Sequence, residues 1–309
     1  MAIEFAKAVQ YWTAFVIFGA MTTLENDYLR VSIRPKGAEL TSLLHKSSGI
    51  EHLWQADPGV WGWHAPNLFP VVGGCLNNQL LIDGKTYPIE RHGFARQSLF
   101  ETTESTTTHA IFTLRSSDAT RVHFPYEFEF QIMYELDGPR LSITYRVVNQ
   151  DEQTIFFSIG AHPAFTVPFF VNEAYDDYFI EFEKEEPLET HMLSAGGYFT
   201  GETKAVSTED NRLQLTTHLF DQDALVFKNL TSRRVTLRSD RHNHSVTVDY
   251  PQFPYLGLWA KPGAPFVCIE PWLGCADSEG QPEPIQQKEA IQNVAEGDIF
   301  EAMFSITVA

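Results

Sequence analysis

From Tyr126 to Tyr134 the chain places a large apolar side chain at every second position: Tyr126, Phe128, Phe130, Ile132 and Tyr134, with Glu127, Glu129, Gln131 and Met133 between them. A helix, with 3.6 residues per turn, would scatter that set around its surface, whereas a strand gathers it on one face. The segment is therefore a strand with one buried side. Asp137-Gly138 follows, a strong hairpin signal, and the alternation resumes through Leu141, Ile143, Tyr145 and Val147. Near the C-terminus Val246, Val248 and Tyr250 repeat it, as do Phe304, Ile306 and Val308. Helical patterning is confined to short stretches at residues 61–63 and 284–290. The polar stretch 196–211 reads as loops, and the acidic run 181–189 as a solvated edge or loop. With no fixed-period repeat and no low-complexity linker, the pattern implies one all-β domain, a large antiparallel β-sandwich over residues 21–309.

Composition narrows what such a domain does. Aromatic residues are 13% of the chain, which suits pleated, half-buried surfaces and also suits stacking on the C–H face of a sugar. The formal net charge of −18 repels phosphate backbones and anionic lipid, so no nucleic-acid or membrane partner is expected. Cys75, Cys268 and Cys275 are odd in number and form no Cys-x-x-Cys pair, which argues for a reducing, cytoplasmic setting over a disulfide framework. The apolar run within residues 8–20 is too short to span a bilayer. Residues 1–20 are read as an extension outside the fold, with a secretory signal as the alternative.

Three segments interrupt apolar or turn-like sequence with ionisable residues. In the first, His92 and Arg96 are four apart with Gly93 between them, and they offer hydrogen bonds and positive charge to sugar oxygens or a phosphate. In the second, a strand through Ile159 runs into Gly160-Ala161-His162-Pro163, which places His162 to line a cleft with a side chain that titrates near neutrality. In the third, Glu270 follows Phe266, Val267 and Ile269, so it is read as a carboxylate at an apolar strand end whose lost hydration raises its pKa. Taken singly each is ordinary. A histidine at a strand end is more often a satisfied structural residue, Glu-Pro a strand terminus, and an arginine a surface charge.

Together, and in this order, Phe69-Pro70 with Gly73, His92-Gly93-Phe94-Ala95-Arg96, His162-Pro163-Ala164-Phe165, Asp221-Gln222-Asp223-Ala224-Leu225 and Ile269-Glu270-Pro271-Trp272 resemble the aldose 1-epimerase (galactose mutarotase-like) family. Within it they resemble the LacX-like and hexose-6-phosphate epimerase-like branch. The resemblance runs from Met21 onward. It implies a β-supersandwich with an open sugar cleft, an isomerase interconverting the α and β anomers of a hexose, and no cofactor or metal. It assigns Glu270 as general base and His162 as general acid. His92 would hold the ring oxygen or anomeric hydroxyl, and Asp223, with Asp221 as a close alternative, the sugar hydroxyls. Arg96 and Trp272 complete the implied substrate-binding set. One departure stands out: Gly74 occupies a position where family members commonly carry arginine, and Arg96 is a candidate to supply that charge; for a phosphate, which wants convergent cations, Arg96 is one candidate and Arg91 a poorer one.

Two other readings compete. A metal site is one, since His242-Asn243-His244 puts two histidines on one strand face, although in a polar hairpin where exposed histidine is ordinary, and His92, His162 and Glu270 mimic a two-histidine, one-carboxylate set. A non-catalytic carbohydrate-binding protein on the same fold is the other. The partner expected in every sugar reading is a small aldohexose, free or phosphorylated, bound by a monomer or homodimer.

Overall fold

The computed structural model describes residues 19–309. The extension read over residues 1–20 therefore lies, but for its last two residues, outside the described residues. Antiparallel strands make up a little under half of the described residues. A nine-stranded sheet runs from Arg212–Gln214 at one edge through Tyr178–Phe182, Arg234–Ser239, Ser245–Asp249, Ile299–Val308, Arg140–Asn149, Phe128–Asp137 and His109–Arg115 to Glu101–Ser105. The alternation seen in the sequence is its inner face: Phe128, Phe130, Ile132 and Tyr134 are buried, as are Leu141, Ile143, Tyr145 and Val147 on the neighbouring strand. The hairpin between them closes one residue later than Asp137-Gly138 suggests. Asp137 pairs with Arg140, so the loop is Gly138-Pro139, and Gly138 takes the positive φ of 55° at the first loop position, as primed turns require.

Across the core lies a six-stranded sheet in the order Leu225–Phe227, Tyr255–Trp259, Phe266–Leu273, Ile159–Ala161, Asn67–Leu68, with Ala164–Thr166 also paired to Phe266–Leu273. Buried hydrogen bonds join the layers. The Tyr145 hydroxyl donates to Asn67 Oδ1 at 2.7 Å, and Asn67 Nδ2 donates to the carbonyls of Gly37 and Ala38 at 2.9 and 3.1 Å. The Tyr134 hydroxyl reaches the Ala38 carbonyl at 2.8 Å. Next to Asn67, the ring of Phe69 stacks on Phe130 at 4.5 Å and meets Phe128 and Phe157 at 5.3 and 5.7 Å. Truncating such a ring typically costs about 3–5 kcal/mol, so the segment from Asn67 to Gly73 is held firmly where it enters the functional region.

Three expectations change. Residues 61–63 are irregular and 284–290 contain only a 3-10 turn at Ile285–Gln287, so neither is a helix. The α-turn is elsewhere, at Asp118–Arg121. Ser117 caps it, since its Oγ accepts from the Thr120 N–H and the Thr120 Oγ1 accepts from the Ser117 N–H. The polar stretch 196–211 contains a strand, Phe199–Val206, paired with Leu188–Leu193 in a ribbon whose second strand is largely exposed; with both faces near water, it carries no apolar alternation to read. No helix among the described residues is long and apolar enough to cross a membrane.

Candidate active site

The central strand of the six-stranded sheet, Phe266–Leu273, is buried along its whole length. Val267 and Ile269 face the main core, while Trp272 belongs to a second apolar cluster with Leu68, Val72 and Val226 on the opposite face. Glu270 shares the Trp272 face. It lies inside the strand, opposite Gly257, rather than at a strand end. Glu-Pro suggested a terminus, yet the strand continues through Pro271. The neighbouring chain explains this. Ile159–Ala161 and Ala164–Thr166 both pair with Phe266–Leu273, and between them His162-Pro163 breaks the ladder. Ile269 donates its N–H to the Pro163 carbonyl at 3.1 Å. Two residues on, the same strand edge carries Pro271, which has no N–H to leave unpaired beside the break.

That break turns His162 toward Glu270. His162 Nε2 is 3.2 Å from Glu270 Oε2, and the side chains are 11% and 2% exposed. Trp61 stacks on the His162 ring at 5.1 Å, and Trp259 and His92 meet it edge-on at 5.9 and 5.6 Å. Both ionisable groups line a cleft of about 250 Å³ together with His92, Arg96, Asp223 and Trp272. The structure thus brings all six sequence-predicted residues to one place. Asp221 does not line this cleft; its carboxylate binds the His218 Nδ1 at 2.8 Å in a neighbouring groove.

Local geometry fixes each wall. The Trp272 indole lies flat across two glycines on adjacent strands: a Cβ at Gly160 would sit 2.7 Å from its Cδ1, and one at Gly257 2.7 Å from its Cζ2 and Cη2. His92 has a φ of 66° and Gly93 one of 71°, and a Cβ on Gly93 would be 2.2 Å from the Phe69 carbonyl oxygen. This tight turn hooks His92 against Gly73. The His92 N–H donates to the Gly73 carbonyl at 2.9 Å, and the Gly73 N–H donates to His92 Nδ1 at 3.1 Å. An imidazole that accepts at Nδ1 carries its proton on Nε2, so His92 is a fixed donor.

Burial dominates the electrostatics. It pushes the Glu270 carboxyl well above the usual range; the nearby Asp223 carboxylate adds to this and the Trp272 indole N–H opposes it. It holds His162 down to about 3, and Arg96 acts in the same direction. His92 is held well below its ordinary value by burial, then by His162, Arg96 and Arg91. The 3.2 Å contact would favour a charged pair, but desolvating two ions costs more than their attraction returns. Burial therefore favours a neutral carboxylic acid beside a neutral imidazole.

The sequence reading missed Trp61 and Trp259 as walls of the cleft, and it ranked Arg91 below Arg96. A Cβ at Gly74 would lie 3.8 Å from Arg91 Nη2. Arg91, rather than Arg96, therefore stands beside the position that lacks the familiar arginine. Its Nη2 donates to the Gly196 carbonyl at 2.6 Å, and its guanidinium lies so close on Gly197 that a Cβ there would be 2.2 Å away. Arg96 Nη2 donates to the Arg91 carbonyl at 2.9 Å, and its guanidinium lies 5.3 Å from the centre of the Trp63 ring. Neither arginine forms an ion pair with a carboxylate among the described residues. A doublet of glycines flanking an arginine contact is not a pattern that spacing reveals.

The two histidine sets of the rival metal reading are not assembled among the described residues. His242 is largely buried rather than exposed. Its Nε2 is 3.0 Å from the Tyr178 hydroxyl and 3.4 Å from Glu173 Oε2, and its ring stacks on Phe169. The one group of three or more metal-ligating side chains among the described residues is His162, Glu270 and Cys268, without His92.

Comparison with known proteins gives the family and the fold. The sequence model for aldose 1-epimerase matches residues 20–279. Protein LacX of Lactococcus lactis subsp. lactis is 33% identical over 294 residues, which span 92% of this chain and 98% of LacX. A galactose mutarotase related enzyme from Lactobacillus acidophilus superposes with a TM-score of 0.89 at 32% identity, over 94% of this chain and 97% of that one. A galactose mutarotase-like protein from Lactobacillus casei ATCC 334 gives the same score and identity over 94% of this chain and all of its own.

Proposed function

The chain belongs to the aldose 1-epimerase family, and on that premise we propose that it is a mutarotase, interconverting the α and β anomers of a hexose by proton transfer through Glu270 and His162. The observation that carries this reading is the 3.2 Å approach of those two buried side chains within one cleft. Ring opening needs a base for the anomeric hydroxyl proton and an acid for the ring oxygen. In the tautomer with the proton on His162, Glu270 accepts the hydroxyl proton while His162 gives its own to O5. The C1–O5 bond breaks and an aldehyde forms.

The pair is then a carboxylic acid and a neutral imidazole, the form that burial favours. It is thus matched to the open-chain sugar. After rotation about C1–C2, Glu270 returns its proton to the aldehyde oxygen and His162 removes the O5 proton as the ring closes on the other face. Direct transfer across the 3.2 Å contact resets the pair. His92 Nε2–H donates to a sugar oxygen, Asp223 accepts from hydroxyls, and the Trp272 and Trp61 rings supply apolar walls.

Exchange NMR or polarimetry on freshly dissolved α-glucose and α-galactose tests the proposal. Acceleration over buffer is expected; saturable binding without acceleration would favour a carbohydrate-binding protein. A second reading, a hexose-6-phosphate 1-epimerase, is favoured by Arg91 and Arg96, which bind only backbone carbonyls in an acidic protein. The two arginines act on the histidine side of the cleft, and Asp223 on the glutamate side. In a pyranose O5 is bonded to C5, which carries C6, while C1 is bonded to C2. Protonation of O5 by His162 would therefore turn a C6 phosphate toward the arginines. The same assay on the 6-phosphates of glucose and galactose decides between the two.

A further inference from the structure

Behind the Glu270–His162 pair lies a third donor that the reaction does not use. Cys268 is two residues before Glu270 on the same strand, hence on the same face, and is fully buried. Its Sγ, a carboxylate oxygen of Glu270 and a ring nitrogen of His162 all lie within 4.8 Å of one another. Cys268 forms no disulfide. Glu270 Oε2 and His162 Nδ1 are buried without a hydrogen-bond partner. Donors on a tetrahedral zinc ion stand ~3.5 Å apart, given bonds of about 2.0–2.3 Å, so closing this set takes shifts of about 1 Å. The carboxylate and imidazole line the cleft while the thiol stands behind them. Three protein donors with one side open to small molecules is the arrangement of a catalytic-type zinc site.

We propose that Cys268, Glu270 and His162 form a binding site for a soft divalent cation, zinc or cadmium, and that its occupation excludes the sugar. Thiol and imidazole select soft ions over magnesium and calcium. As the metal–sulfur bond forms, the thiol proton leaves to solvent, and so does the carboxyl proton of Glu270. With both reacting groups ligated, neither can exchange a proton with a pyranose.

The inhibition rests on the mutarotase reading; the binding does not, and the test separates them. Zinc or cadmium is titrated into the intact protein while the mutarotation rate is followed, and cadmium binding is read from the ultraviolet thiolate-to-cadmium charge-transfer band. One ion per chain, a band, loss of rate, and relief by added galactose or glucose are expected, with magnesium and calcium inert. Cys268→Ser should keep the basal rate, lose the band and bind the ion at least tenfold more weakly. Cys268→Ala repeats the test if a buried hydroxyl harms folding. A band that persists in both variants, inhibition equal in variant and wild type, or no stoichiometric binding would overturn the site. A protein that binds cadmium through Cys268 yet never accelerates mutarotation would sink the proposed function and leave the metal site standing.

Discussion

Replacing Glu270 by glutamine isolates the proton-transfer step. The side chain is 2% exposed, His162 stands 3.2 Å from it, and Oε2 has no hydrogen-bond partner. Glutamine has nearly the same volume, so no cavity opens, and its amide can still face the imidazole. Stability at neutral pH should hold or rise, because a buried ionisable group is removed. The rate should not hold. Every turnover passes protons through Glu270 twice, once in ring opening and once in closure, and the variant also strips His162 of the partner that resets it. General acid–base catalysis is worth about 10²–10⁴-fold. With both steps affected the loss should approach the upper figure, about 5 kcal/mol on the barrier at 1.36 kcal/mol per decade. Exchange NMR at a series of sugar concentrations gives kcat and KM separately; KM should change little, since His92, Asp223 and the tryptophan walls remain. A Glu270→Gln protein that keeps its rate within tenfold of wild type, while urea unfolding shows it intact, would refute the assignment of Glu270 as the proton carrier.

Further expectations test the surroundings. Gly257→Ala puts a methyl 2.7 Å from the Trp272 ring and 3.3 Å from Glu270 Cβ; overpacking of this kind costs about 1–3 kcal/mol, to be read as a lower urea midpoint with a raised KM, and an unchanged midpoint would mean the indole does not lie there. Arg91→Ala should raise KM for hexose 6-phosphates about 10–100-fold, the value of a hydrogen bond to a charged group, and barely alter KM for free hexoses; equal effects on both would count against the phosphate reading. His52 is fully buried with both ring nitrogens unpartnered, and burial, then His45, His244 and His242, lower it to about 3. Its folded-state value lies below the unfolded one, so the stability it contributes is present above pH 6.5 and is lost as pH falls toward about 3. His52→Leu should flatten the urea stability profile across that window, and an acid slope identical to wild type would show that His52 is not responsible.

What the sequence disclosed and what it hid divide along one physical line. Period-two patterning is local, so the strands around Phe128–Asp137 and Arg140–Asn149 were legible. The turn was displaced by one residue because Pro139, adjacent to Gly138, also fits a loop. The exposed ribbon at Leu188–Val206 buries little and left no alternation to read. At the site, His162 and Glu270 were singled out by the strings around them, ordinary one at a time and informative only in their order along the chain and in the family resemblance they carry. Trp61 and Cys268 were not, and Arg91 ranked below Arg96, because their importance is a matter of neighbours remote in the chain: Gly74 and Gly197 for Arg91, the His162 ring for Trp61, the Glu270–His162 pair for Cys268. The Glu-Pro string misled for a related reason. Proline ends a strand only if its missing N–H faces a paired neighbour, and here the neighbour is broken.

That break ties the fold to the chemistry. A continuous strand beside Phe266–Leu273 would aim its side chains alternately at core and cleft, and a histidine at position 162 would stand perpendicular to the sheet beside Glu270 rather than turned onto it. Interrupting the ladder at His162-Pro163 costs hydrogen bonds, but Pro271 removes the one donor that the gap would orphan, and the Ile269 N–H keeps its partner in the Pro163 carbonyl. The surrounding layers allow the gap because they do not depend on it: the nine-stranded sheet is continuous behind it, and Asn67, Tyr134 and Tyr145 lock the layers together through buried hydrogen bonds. A carboxyl–imidazole pair can therefore be set deep inside a sheet, where burial favours its neutral form, instead of on loops, where water would charge both groups.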